Sequence, residues 1–102
     1  MKYFFCKFVP PGREFLETIT NEQKRLMKAH SDFLLYLQEQ NFIVAQGSVA
    51  DPSGGWGMSL FETEDGQNIE DVRDALAEDP IVKAGVGARY EVLPMLQLHM
   101  RS

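Results

Sequence analysis

The side chain best suited to chemistry is His30, because it falls on the apolar side of a helical segment. It lies four residues after Leu26 and four before Leu34, which places all three on one side of a 3.6-residue helix. An imidazole titrates near neutral pH, so a histidine in this position could transfer protons. The alternative is a core histidine bonded to a backbone carbonyl, and the pattern by itself favours that alternative.

Two aspartates are candidate partners that would orient the His30 ring. Asp79 comes three residues after Leu76, on the apolar side of a second predicted helix, and Pro80 follows it. Asp51 begins the turn sequence Asp-Pro-Ser-Gly-Gly. Asp79 is the first choice because it points inward, although an Asp-Pro helix end explains it nearly as well. For Asp51 the structural explanation, an Asx-turn, is the stronger of the two.

Trp56 could form a wall of the same site, since it follows two glycines and could stack on a planar ligand. A strand aromatic that fills the core or a dimer interface is an equally good interpretation. Residues 54–57 lack the lysine and the following helix of a phosphate-binding loop. Cys6 lies in an apolar strand, where a thiol is usually inert, and no spacing of Cys and His predicts a metal site.

An alternation of strands and helices would position these residues. The predicted strands are 2–9, 42–50, 56–63 and 88–94, the predicted helices are 20–40 and 68–78, and an apolar connector spans 13–19. Thr20 and Gln23 have the spacing of a capping box, and Pro80 ends or restarts the second helix. The order strand–helix–strand, repeated once, predicts an α+β fold. Specifically, it predicts a ferredoxin-like βαββαβ sandwich with a four-stranded antiparallel sheet and both helices on one face.

The first strand indicates that the other face of the sheet is covered as well. Phe5 and Val9 would lie on one side of this strand and Phe4 and Phe8 on the other, so both sides are apolar. Helices on a single face leave the second face without a partner, and we therefore expect a homodimer formed through it. The apolar tail, residues 97–102, could add a strand to the edge of the partner's sheet.

Composition and charge restrict the class of protein. The chain of 102 residues suffices for one domain, which we place at 1–96 with 97–102 as a tail. A net charge of -5 and scattered basic residues argue against nucleic acid and against an anionic membrane surface. The single cysteine cannot form an internal disulfide. Lys7 interrupts the apolar run at the N-terminus, which argues against a signal peptide, so we expect the cytoplasm.

Four stretches of the chain resemble the YCII-like (YciI-related) proteins. They read KYFFCKFVPP, MKAHSDFLLYL, IVAQGSVADPSGGWGMSLFE and AEDPIVKAGVGARYEVLPM, and together they cover nearly the whole chain apart from 13–20 and the last few residues. The resemblance implies a ferredoxin-like fold that dimerises into an α+β barrel. It also implies a catalytic histidine paired with an aspartate in a cleft, without metal or organic cofactor.

The histidine at the matching position is His30, and Ser48 stands where the family often has proline after the glycine, in the loop that would frame the site. The resulting hypothesis is a small cofactor-independent enzyme with lyase or isomerase chemistry on a small cyclic or aromatic acid or ketone. In it His30 shuttles the proton, Asp79 or Asp51 orients it, and Trp56 and Ser48 contact the substrate. The alternatives are a non-catalytic binding or dimerisation module and a cofactor-free oxygenase.

Overall fold

The computed structural model describes residues 1–12 and 20–101. In chain order these residues form β1 (Lys2–Val9), α1 (Asn21–Glu39), β2 (Ile43–Val49), β3 (Trp56–Thr63), α2 (Ile69–Leu76), α3 (Pro80–Lys83) and β4 (Arg89–Pro94). The predicted connector, 13–19, lies outside the described residues. Among the helices of the described ranges, none combines the length and the apolar character that a bilayer span requires.

The strands form one four-stranded antiparallel sheet in the order β2-β3-β1-β4. The central strand β1 pairs on both sides, so that Cys6 lies beside Ser59 of β3 and Val92 of β4. The register of β2 shifts between Ile43 and Ala45, which marks a bulge near the start of this edge strand. The predicted α+β fold with a four-stranded antiparallel sheet is thereby confirmed.

The start of α1 is determined by the predicted capping box. Gln23 N donates to Thr20 Oγ1 at 3.2 Å, and Thr20 N donates to Gln23 Oε1 at 2.7 Å, so two otherwise unpaired backbone donors are satisfied. The helix ends before Asn41, which adopts a left-handed conformation with φ 67°. Between these ends the apolar side of the helix buries His30 and Leu34.

The second helical segment is shorter than predicted and is followed by a separate turn. Asn68 caps α2, as expected, by accepting from Glu70 N at 2.9 Å, but α2 ends at Leu76 rather than continuing to residue 78. A new helical turn, α3, begins at Pro80, and the residue before a proline disfavours helical geometry. Asp79 accordingly has an extended backbone, with φ -57° and ψ 125°, and serves as the N-cap of α3. The predicted helix over 68–78 was therefore too long at its C-terminal end.

The core lies between one face of the sheet and the helices. Phe4, Cys6 and Phe61 are buried on this face and pack with buried residues of α1 and α2, among them Leu34 and Leu76. A second, smaller cluster at one end of the sheet joins Phe8 of β1, Ile81 of α3 and Ala88. Burial of each large aliphatic side chain is worth about 1.5–3 kcal/mol, so these contacts hold α1 and α3 against the same end of the sheet.

The opposite face of the sheet carries apolar side chains as well. We define the open face by Phe5, Met58, Leu60 and Leu93, which the strand pairing places side by side. Leu93 is 60% exposed, and Leu96, two residues after the end of β4, is fully exposed. Helices of the described chain pack on the Phe4 side of the sheet and leave these apolar side chains in contact with solvent.

Candidate active site

His30 and Asp79 form a buried side-chain pair. His30 Nδ1 lies 2.6 Å from Asp79 Oδ2, although 49 residues separate them in the chain. His30 is 6% exposed and Asp79 is completely buried. The helix α1 supplies the histidine, and the break before α3 supplies the aspartate. Of the two aspartates considered from the sequence, Asp79 is the one that contacts His30.

A third side chain, Tyr90, joins this pair. Its hydroxyl donates to Asp79 Oδ2 at 2.6 Å, the same oxygen that His30 contacts. The sequence analysis did not select Tyr90. The alternation of β4 nevertheless contained a signal, because Tyr90 and Val92 fall on the helix-facing side and a buried phenol needs a hydrogen-bond partner.

The carboxyl group of Asp79 takes part in three hydrogen bonds. Its Oδ1 accepts from Ile81 N at 3.1 Å, and its Oδ2 accepts from His30 and Tyr90. An ionised carboxylate can only accept, so both Tyr90 OH and His30 Nδ1 must carry the hydrogen. Burial, and then the charge of Asp79, raise the pKa of Tyr90 well above its ordinary value, which keeps the phenol protonated. His30 Nε2 is then the ring nitrogen with a free lone pair.

Phe8 holds the His30 ring from one side. The two rings are stacked, with centroids 4.0 Å apart and an interplanar angle of 26°. Tyr90 packs against Phe8 in turn, at 5.2 Å between centroids. The imidazole is thus fixed both by stacking and by its bond to Asp79, which restricts the direction in which Nε2 points.

A cleft of about 210 Å³ opens beside His30. Its apolar walls include Phe8, Met27 and Leu34, and its polar lining includes Gln46 and Ser48; the full lining is Phe8, Pro10, Met27, His30, Ser31, Leu34, Gln46, Gly47, Ser48, Val49, Gly55, Trp56 and Gly57. Asp79 does not line it, so Nδ1 faces away from the cleft. Among the described interactions none engages Nε2, which leaves this nitrogen available to a molecule in the cleft.

Asp51 does not contact His30 and lines a different hollow. Its Oδ1 accepts from Ser53 N at 2.8 Å, which is an Asx-turn, and its Oδ2 accepts from Trp56 Nε1 at 3.0 Å. These two donors, Ser53 N–H first, hold the pKa of Asp51 below its ordinary value. Asp51 lines a separate hollow of about 270 Å³ together with Lys7, whose ammonium lies 4.7 Å from the Trp56 ring centroid.

The two proposed contact residues, Trp56 and Ser48, both line the cleft beside His30. Trp56 also lines the hollow of Asp51 and packs edge-on against Phe5 at 6.2 Å, so it separates the two spaces. Cys6 is buried within the core, and desolvation raises its pKa to about 12. Its thiol therefore stays protonated at neutral pH.

A comparison with known protein families identifies one family. The model of the YCII-related domain matches residues 1–96 of the 102-residue chain. No curated protein matches the chain. The matched range includes all the strands and helices described above, and with them His30, Asp79 and Tyr90. Since it covers nearly the whole sequence, the chain belongs to the YCII-related domain family.

Proposed function

We propose that the protein is a small enzyme in which His30 is a general acid–base and Asp79 orients it. The reaction is of lyase or isomerase type, on a small cyclic or aromatic ketone or acid, and it uses side chains alone. One observation supports this most strongly: the 2.6 Å contact between His30 Nδ1 and Asp79 leaves Nε2 beside a cleft. A base whose second nitrogen is held by a carboxylate is an arrangement that suits proton transfer.

The proposed chemistry begins with removal of a proton from the carbon next to a carbonyl. His30 Nε2 takes the proton, and the electron pair of the broken C–H bond moves into the carbonyl to form an enolate. Asp79 stabilises the imidazolium that results. Return of the proton to a different carbon completes an isomerisation. In an elimination the enolate expels a leaving group with its bonding electrons from the adjacent carbon, and His30 gives its proton to that leaving group or to water.

The lining of the cleft fits such a substrate. Phe8, Met27 and Leu34 offer an apolar surface for a ring. Gln46 and Ser48 offer an amide and a hydroxyl that can donate to a carbonyl oxygen. Gln46 Nε2 also bonds Gln38 Oε1 at 3.2 Å, so its amide is already oriented from one side.

Hydrogen–deuterium exchange tests the proposed reaction. We expect the protein in deuterium oxide to accelerate loss of the C–H signal next to the carbonyl for at least one member of a panel of small cyclic and aromatic ketones and acids. Asp51→Asn serves as the control and should retain the rate, because Asp51 does not contact His30. No exchange with any member, together with a His30 ring that never titrates, would contradict the proposal.

The alternative is a non-catalytic module that binds a small molecule or only dimerises. The low exposure of His30, 6%, favours this alternative, because a histidine that only fills the core is also buried and hydrogen-bonded. Binding of panel compounds in the cleft, seen as shifts of the His30 and Ser48 resonances without any exchange, would support this alternative over the enzyme.

We also propose that the chain adopts a ferredoxin-like topology and forms a homodimer through the open face, giving a dimeric α+β barrel. The strand order β2-β3-β1-β4 supports the topology. The apolar side chains of Phe5, Leu60 and Leu93 on an otherwise uncovered sheet support the dimer. A reducing compartment, the cytoplasm, fits the free thiol of Cys6.

The dimer proposal predicts different effects for two exposed leucines. Leu93, on the open face, is 60% exposed in the single chain, and Leu35, on α1, is 52% exposed. We expect Leu93→Asp to weaken self-association at least about 10-fold, since it buries a charge in the interface, and Leu35→Asp to leave it unchanged. Analytical ultracentrifugation over a range of concentrations measures both. Equal association of the two variants would show that the open face is not the interface.

A further inference from the structure

Tyr90 and His30 share one oxygen of Asp79. Each lies 2.6 Å from Oδ2, while Oδ1 accepts from Ile81 N alone among the described donors. The rings of Tyr90 and His30 are 6.4 Å apart between centroids, and no hydrogen bond described joins them. An effect of the phenol hydroxyl on His30 must therefore pass through Asp79.

Packing alone does not require this hydroxyl. Tyr90 contacts Phe8 and lies next to both core clusters, and a phenylalanine would fill the same volume. What the oxygen adds is a second donor on the carboxylate that holds the imidazole. A hydrogen bond from the phenol stabilises the ionised form of the carboxylate, so this oxygen attracts the proton of the imidazole less strongly than it would without Tyr90.

We propose that Tyr90 is a positioning residue for His30: its hydroxyl fixes Asp79 Oδ2 and limits how strongly this oxygen stabilises the protonated imidazole. A carboxylate next to an imidazolium increases the proton affinity of the ring. A base that must return its proton in each cycle works best when its proton affinity is moderate. The inference rests on the proposed acid–base role of His30 and assigns to Tyr90 the tuning of that role.

The other titratable groups around this cluster do not supply the same effect. On β1, the Cys6 thiol is the titratable group nearest to Tyr90, and burial keeps it neutral. On α1, Arg25 pairs with Glu22 and Lys28 pairs with Asp32, and all four side chains lie at the surface. Among the described residues, no lysine or arginine pairs with Asp79, and its contact with His30 becomes an ion pair only when the imidazole is protonated. Tyr90 is thus the side chain that can moderate Asp79.

Tyr90→Phe in the full-length protein tests this proposal without any substrate. We expect the NMR resonance of the His30 Nδ1 proton to move downfield, because Asp79 Oδ2 would then accept from His30 alone. We also expect the titration midpoint of His30 to rise by at least about 0.5 pH unit relative to the unsubstituted protein. Tyr36→Phe is the matched control, since Tyr36 is 53% exposed on α1 and should change neither value.

Unchanged values in Tyr90→Phe would overturn the proposal and leave Tyr90 as a packing residue. Incorporation of fluorinated tyrosine provides a second measurement should Tyr90→Phe fail to fold. Fluorine makes the phenol a stronger donor, so the Nδ1 proton should move upfield, and a downfield shift or no shift would again contradict the role. A His30 ring that does not titrate in the unsubstituted protein counts against the enzyme, while the Nδ1 resonance still decides the role of Tyr90.

Discussion

Replacement of His30 with asparagine is expected to reduce the rate of the proposed proton transfer by about 10²- to 10⁴-fold, the usual contribution of a positioned acid–base group. Asparagine can keep a donor directed at Asp79, because its amide N–H lies near the position of the imidazole Nδ1. It has no counterpart of Nε2 that can accept and return a proton. The change therefore removes the chemistry and leaves the partner of Asp79 in place.

The measurement is the rate of hydrogen–deuterium exchange for the panel compound that the unsubstituted protein turns over fastest. His99→Asn is the matched control, because His99 is exposed in the tail after β4, where its described partner is Gln97. Thermal unfolding of His30→Asn separates loss of chemistry from loss of fold. If His30→Asn exchanges the compound as fast as His99→Asn does, His30 is not the base.

Replacement of Asp79 with alanine is expected to destabilise the fold by about 3–5 kcal/mol, because each buried donor left without an acceptor costs about 1–3 kcal/mol. Asp79 is completely buried and accepts three hydrogen bonds, from His30, Tyr90 and Ile81 N. Alanine would leave all three donors buried without this acceptor, and α3 would lose its N-cap. Few single substitutions in a domain of this size cost as much.

Urea unfolding measures this loss, with all variants at one protein concentration because self-association would stabilise the native state. Asp51→Ala is the matched control, since it removes a carboxylate with two hydrogen bonds from a surface turn, and a much smaller loss is expected. The loss of stability in Asp79→Asn should fall between those two losses, because the asparagine oxygen still accepts a hydrogen bond although the negative charge is gone. Equal losses for Asp79→Ala and Asp51→Ala would mean that the buried carboxylate is not structurally important.

Helix capping, the spacing of apolar residues and the effect of proline explain what could be predicted about the individual helices and strands. The capping box at Thr20 and the spacing of apolar residues determined where α1 starts and which side of it His30 occupies. Alternation in β1 predicted that Phe4 and Phe8 lie on one side of the strand and Phe5 on the other, and the structure then showed that the helices pack on the Phe4 side. The end of the second helix was predicted two residues too late. Pro80 disfavours helical geometry at Asp79, and α2 already ends at Leu76.

By itself, the sequence determined the α+β architecture, the inward side of α1 with His30, and membership of the YCII-related domain family. The tertiary structure alone decided that Asp79 rather than Asp51 contacts His30, and that Tyr90 joins them on one carboxylate oxygen. Periodicity reports which side of an element a residue occupies, and it contains no distance between elements. The break before α3 and the register of β4 on β1 supply those distances, because they bring side chains from three distant segments to a single buried acceptor.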